Sequence, residues 1–187
     1  MAGQTIQDFF RVAQERGFSR DFMMKVRAIG NTTFNEDDFV YITTKTLPNR
    51  SITNQAVPYM GLNFNVPGTV TYPGSDAWNV VFRNDIKGLL RTKLEKWQTD
   101  EVFNDETSTG DLSVRGVDKL IQLDLVDDKN ITLNSYRLYG AYIKELGTID
   151  YDQAGAGAPT TFTAVLAYHY WRHADANVKL TEARSVN

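Results

Sequence analysis

The amino-acid sequence predicts a mainly β chain with one long flanking helix and a short N-terminal one. Three observations carry that expectation: apolar side chains alternate along several segments, the period switches abruptly from strand to helix at one junction, and turn residues separate the alternating runs. The junction is the most specific. Trp78, Val80 and Phe82 alternate as on a half-buried strand, whereas Ile86, Leu89, Leu90, Leu94 and Trp97 recur at helical spacing. Asn84 or Asp85 supplies the side-chain oxygen that the unpaired N–H groups of a helix start require, so a helix is expected over about 85–98, ending on Trp97-Gln98.

The other elements follow in order. Gln4 to Arg16 places Ile6, Phe9, Phe10 and Ala13 on one side, a short helix closing near Gly17. Phe22, Met24, Val26 and Ala28 alternate with Met23, Lys25, Arg27 and Ile29, a first strand that ends at Gly30-Asn31. Glu36-Asp37-Asp38 reads as a tight acidic turn, and Phe39 to Leu47 as a strand that Pro48 ends, since proline has no N–H to donate. Across 49–75, Pro58, Pro67 and Pro73 punctuate the chain while Leu62, Phe64 and Val66 still alternate, which predicts an extended hairpin with a long exposed tip. Arg50 is its single charge, and a polar but uncharged projection suits docking better than solvation.

Beyond the helix, 99–116 is polar and acidic and reads as a solvated loop. Ile121, Leu123 and Leu125 alternate with Gln122 and Asp124 up to a turn at Asp127-Asp128-Lys129-Asn130, and Ile131 to Leu138 returns as the second arm of a hairpin. Gly155-Ala156-Gly157-Ala158-Pro159 then releases into the longest expected strand, Thr160 to Trp171, with Phe162, Ala164, Leu166, Tyr168 and Tyr170 on one side. The residues after His173 read as a frayed tail.

A chain of 187 residues suits one domain, 1–187, with a sizeable core, and 42% hydrophobic with 23% charged residues is ordinary for a folded protein. A net charge of -3 argues against a protein that grips nucleic acid, which needs clustered cations to displace phosphate counterions. With no cysteine there is no disulfide, thiolate or cysteine-ligated metal. The N-terminus lacks the basic and apolar regions of a secretion signal and no apolar run approaches a membrane span, so assembly in a cytoplasm without a membrane partner is expected.

The residues offer little chemistry. On one strand His169 and His173 would share a face yet stand about 13 Å apart at roughly 3.3 Å per residue, too far for one ion. Asp124, Asp127 and Asp128, like Glu36-Asp37-Asp38, cluster without the ordered spacing of a calcium loop, so turn chemistry explains them better. Gly155-Ala156-Gly157 lacks the Lys and Ser/Thr of a phosphate loop and leads into a strand. No catalytic residue, cofactor site or metal site is expected. Lys87, Arg91, Lys93 and Lys96, with one Glu95, make a basic island on the helix of an acidic protein, expected to face an acidic partner.

The pattern Trp78-x-Val80-x-Phe82-x-Asn84-Asp85, followed at fixed distance by Trp97-Gln98, resembles the tail-tube proteins of contractile-tailed bacteriophages of the T4-like group. Leu47-Pro48 is similar to the family's Leu-Pro before its projecting loop, and Thr161-Phe162-x-x-x-Leu166-Ala167-x-x-Tyr170-Trp171 to its closing strand. The resemblance implies an antiparallel β-sandwich or barrel with one flanking helix, its inner sheet joining a ring-wide barrel of six copies. Stacked rings would form a virion tube whose bore conducts double-stranded DNA in transit. The implied partners are further copies, the tail sheath, the baseplate hub, the tail terminator and the tape-measure protein. The motif residues are then packing residues, the basic helix face meets the sheath, and Asp124, Asp127 and Asp128 are candidates for the bore, where an acidic lining lets DNA slide. The N-terminal helix, the acidic 99–116 stretch and the tail depart from the family pattern. A baseplate tube initiator or secreted injection-machine tube would share the fold. A monomeric sandwich binding a ligand through Tyr136, Tyr139 and Tyr142 is the alternative of a different class.

Overall fold

A computed structural model describes residues 5–30, 34–104, 106–110, 119–152 and 157–174. Its strands are β1 (Met24–Ile29), β2 (Ile42–Thr44), β3 (Ser51–Tyr59), β4 (Leu62–Thr71), β5 (Trp78–Arg83), β6 (Phe103–Asn104), β7 (Thr109–Gly110), β8 (Leu120–Val126), β9 (Thr132–Tyr139), β10 (Tyr142–Leu146), β11 (Thr161–Ala167) and β12 (Tyr170–Ala174). The α-helices are α1 (Ile6–Arg16) and α2 (Leu89–Glu101). Two four-stranded antiparallel sheets, ordered β1-β8-β9-β12 and β10-β11-β5-β2, share one apolar core, which makes the described chain an antiparallel sandwich flanked by α2.

Alternation decides which side chains enter that core. On β5, Trp78, Val80 and Phe82 point inward beside Leu166, Ala164 and Phe162 of β11, and the rings of Phe82 and Phe162 stack at 5.5 Å. From the facing sheet come Val26 and Ile29 of β1, Ile121 and Leu123 of β8, and Leu138 of β9. Leu90, Leu94 and Trp97 of α2 join the same cluster, one turn apart as an amphipathic stripe requires.

The strand-to-helix junction is capped as the sequence implies but begins later. Both carboxylate oxygens of Asp85 accept bonds, from the Leu89 N–H at 3.0 Å and the Leu90 N–H at 3.2 Å, across an intervening turn at 85–88. Burial opposes ionisation of Asp85, but these donors outweigh it and hold the carboxyl below its ordinary range. Because the turn intervenes, Ile86 lies outside the helix and fully exposed, and Leu89 is half exposed, so neither belongs to the buried stripe.

Other expectations need correction. Phe39 to Tyr41 form the end of a 3-10 helix (Glu36–Tyr41), not a strand, because the Asp38 carboxylate accepts the Asn35 N–H at 2.8 Å and winds the acidic turn into a helix start. Thr160 to Trp171 is two strands. The chain leaves one sheet after Ala167 and enters the other at Tyr170, the intervening N–H groups of Tyr168 and His169 donating to Ser75 and Tyr139 carbonyls at 2.7 and 2.9 Å. The 99–116 stretch starts inside α2 and continues as the small β6–β7 ladder, with 105 and 111–116 outside the described residues. Asn31, Gly155 and Ala156, and the tail beyond residue 174, also lie outside them.

Replacing Trp97 with Ala should cost about 3–5 kcal/mol in urea denaturation, whereas Ile86→Ala should stay within about 0.5 kcal/mol. Asp85→Ala should cost about 1 kcal/mol through the lost cap. Since folding lowers the Asp85 pKa, that contribution is present above the unfolded carboxyl range and fades as pH falls through the folded pKa, so the wild-type and Asp85→Ala midpoints should converge in acid.

Candidate functional site

The 49–75 segment forms the hairpin that its alternation predicts, and every residue of β3 and β4 is exposed. Its turn is Met60-Gly61, with φ of 48° and 83°; two positive φ values give the twist that suits a two-residue hairpin, and glycine bears the larger one. Pro58 and Pro67 sit within the strands without breaking the pair, as each strand of a two-stranded ribbon has a free edge. Register sorts the ribbon into two faces. Val57 opposite Phe64 and Tyr59 opposite Leu62, with Val66, make an apolar face, and Asn54, Asn63 and Asn65 mark an uncharged polar one.

Two indoles fix the base of this ribbon. The Trp78 N–H donates to the Thr46 carbonyl at 2.9 Å and the Trp171 N–H to the Asn49 carbonyl at 3.0 Å, so the Leu47-Pro48 segment is held at both ends. The Arg50 guanidinium lies 4.9 Å over the Trp171 ring, accounting for the one charge of the segment. Pro48 is buried, while Leu47 is half exposed and so is not a packing residue within one chain. The remaining motif residues are inward or bonded: Phe162 and Leu166 are buried, the Gln98 amide donates to the Ile143 carbonyl at 3.2 Å, the Asn84 amide donates to the Tyr151 hydroxyl at 2.9 Å, and Tyr170 stacks on Tyr139 at 4.9 Å.

The basic island on the helix is only half available. Arg91 pairs with Glu95 at 2.8 Å, donates to the Gly147 carbonyl at 2.7 Å and lies over the Phe162 ring, and Lys93 donates to Asp38 at 2.6 Å. Both act inside the fold. Lys87, in the turn before α2, and Lys96 remain exposed.

The three aspartates of the β8–β9 hairpin are not equivalent. Asp124 is buried, its carboxylate accepting from the Gln122 amide at 3.0 Å and the Ser135 hydroxyl at 2.7 Å, although alternation places all three away from the apolar core. Gln122 and Asp124, the polar members of the β8 alternation, form a buried polar layer with Ser135 and Arg137. Asp127 shapes the turn by accepting the Lys129 and Ile131 N–H groups at 2.9 and 2.7 Å, and Asp128 is exposed. His169 lies in the sheet change itself and His173 on β12 beyond it. His173 sits against Tyr136 and Asn134, while the His169 ring covers Gly140, where φ is 64° and any Cβ would lie 2.0 Å from the ring. Tyr136 and Tyr139 are three positions apart on β9 and so face opposite sides of it, Tyr136 toward Trp171, and these two tyrosines do not share one platform.

One feature escapes the sequence reading. A groove of about 820 Å³ opens between edge strands β1 and β2, floored by Met24, Val26 and Ile42 and flanked by Lys25 and Lys45. Burial, reinforced by the charge of Lys25, lowers the Lys45 pKa. No local motif signals a pairing of two lysines twenty positions apart.

The sequence matches no protein family model and no curated protein. Solved structures do match. A chain of the anti-feeding prophage tube-terminating cap superposes with a TM-score of 0.54 at 14% identity, over 83% of this chain and 89% of that one. A chain of the sheath-tube complex of PVC, an extracellular contractile injection system, in the extended state gives 0.51 at 16%, over 88% and 96%. A chain of the PVC sheath/tube terminator gives 0.50 at 12%, over 84% and 97%. The fold is thus of the tube type found in contractile injection systems.

Lys93→Ala should lower stability by about 1–2 kcal/mol, the value of a partly buried charged hydrogen bond, and Asp38→Ala should cost less in the Lys93→Ala background than in the wild type, the remainder being the lost bond to the Asn35 N–H. Gly140→Ala should lower the unfolding free energy from urea denaturation by more than the roughly 1 kcal/mol of backbone strain alone, since His169 must also move, and His169→Ala should recover part of the loss.

Proposed function

We propose that this chain is a structural subunit of a contractile tail tube, with no catalytic role, six copies closing into a ring and rings stacking into a tube. The observation that carries the reading is the projecting hairpin: an isolated two-stranded ribbon with an unpaired apolar face is marginal in water, so it requires a neighbour. On this reading the hairpin makes the contact between rings. Edge strands β1, β12, β10 and β2 meet neighbouring copies, which removes exposed edges without shortening strands. Lys87 and Lys96 meet the surrounding sheath, and the Asp127-Asp128 turn contributes acidic charge to the bore. The finer assignment is the tail tube of a bacteriophage, whose bore conducts DNA and whose other partners are the baseplate hub, tail terminator and tape-measure protein. The likeness to anti-feeding prophage and PVC chains favours a second reading, the tube of an injection machine that carries no genome.

Negative-stain microscopy of the purified protein at high concentration should reveal rings or rods of uniform width; a strictly monomeric species would overturn the tube assignment. Particles carrying this tube, isolated from producing cells, should contain nuclease-protected double-stranded DNA if the tail is a phage's, and none if it is an injection machine. Reversing Lys87 and Lys96 to Glu should weaken sheath binding at least tenfold and leave the urea midpoint unchanged.

A further inference from the structure

The apolar face of the hairpin and the apolar face of α1 are two unpartnered surfaces on one chain. Helix α1 starts with a reciprocal cap between Thr5 and Asp8 and stops at Gly17, whose N–H donates to the Ala13 carbonyl, so both ends are specified locally. Its stripe is largely uncovered: Ile6 is 76% exposed, Phe9 58% and Phe10 60%, and the Phe9 ring meets Phe10 at 6.0 Å and Phe18, itself exposed, at 5.9 Å. The charges lie elsewhere on the helix, where Arg11 pairs with Asp8 at 3.8 Å and Glu15 at 3.7 Å. The hairpin face is equally bare, with Tyr59 and Leu62 each 64% exposed and Phe64 52%.

These exposures are those of the whole chain, so the two faces do not cover one another in cis. Their dimensions agree. A helix of 11 residues is about 16 Å long at 1.5 Å per residue, and the hairpin face from Gln55 to Tyr59 runs about 13 Å at 3.3 Å per residue. Neither stripe carries a charge that would be buried without a partner. Helix-to-helix pairing between copies would leave every hairpin face exposed; helix-to-hairpin pairing covers both at one to one.

We infer that α1 of one copy packs its Ile6, Phe9 and Phe10 stripe onto the Val57, Phe64 and Leu62 face of a second copy's hairpin. The pairing supplies the third layer that a two-stranded ribbon lacks. Because the two faces differ, copies joined head to tail in this way propagate from copy to copy instead of stopping at a dimer, provided the contact is not returned by the same partner. The inference rests on the tube reading for its biological setting and names the partner of the hairpin within it.

The chain contains no cysteine, which allows a direct test. Phe10→Cys and Phe64→Cys copies, carrying different tags, are mixed and oxidised, alongside each variant alone and an Ile6→Cys with Val66→Cys pair. The expected result is a mixed-tag disulfide dimer at least tenfold above either variant alone, in one or both pairs. Sedimentation of the unsubstituted chain reports assembly separately. Assembly without a mixed cross-link, or self-cross-linking of Phe64→Cys alone at equal yield, overturns the pairing and leaves the tube reading standing. A mixed cross-link without rings or rods supports the pairing and overturns the tube reading, and the absence of both overturns both.

Discussion

Burial of one apolar layer, shared by two four-stranded sheets and α2, is the constraint from which the rest of the molecule follows. Phe82 stacked on Phe162 lies at its centre, on adjacent strands β5 and β11. The two chain segments that leave these strands inherit their direction from that packing. One is α2, whose first N–H groups are met by Asp85 just beyond β5. The other is β12, reached by a change of sheet at Tyr168-His169 in which both backbone N–H groups still find carbonyls. A buried layer of this kind tolerates such a crossing because both of these N–H groups are paired.

Much of this was legible in the sequence, and the reasons differ by element. Trp78, Val80 and Phe82 were readable because a half-buried strand writes its burial directly as alternation, and the 49–75 hairpin because prolines and alternation coexisted. The break at Tyr168 was not readable: inward-facing residues continue across it, and only contacts with Ser75 and Tyr139, remote in sequence, turn the chain. Phe39 to Tyr41 carry β propensity, but a local carboxylate cap won. Ile86 fits the helical period by number alone, a coincidence that periodicity cannot detect. Alternation places Gln122 and Asp124 away from the apolar core but does not say what covers them; here their hydrogen bonds satisfy one another and Ser135 in a buried layer.

The candidate contact residues show the same limit more sharply. A basic helix face is visible from spacing, but whether a cation is available depends on what lies across from it. Lys93 is claimed by Asp38 and Arg91 by Gly147, Glu95 and Phe162, partners between four and seventy-one positions away. Only Lys87 and Lys96 remain for an outside partner. Leu47 makes the complementary point, since its neighbour Pro48 is buried and its flanking carbonyls are held by indoles while its own side chain faces solvent.

Those indole bonds link the core to the surfaces that face outward. Trp78 belongs to β5 and is buried; Trp171 belongs to β12, on the other sheet. Each donates its single N–H to a carbonyl at the base of the hairpin, so the direction of the ribbon is set jointly by both sheets. Rotation of one sheet against the other would therefore swing the ribbon tip, some nine residues out from its base. A tube built by stacking needs every tip to reach its neighbour at the same angle, because an angular error in one subunit recurs at every level. In the proposed tube, a core that fixes the relative position of the two sheets through Phe82, Phe162, Ile121 and Leu138 would then also fix the pitch of the assembly.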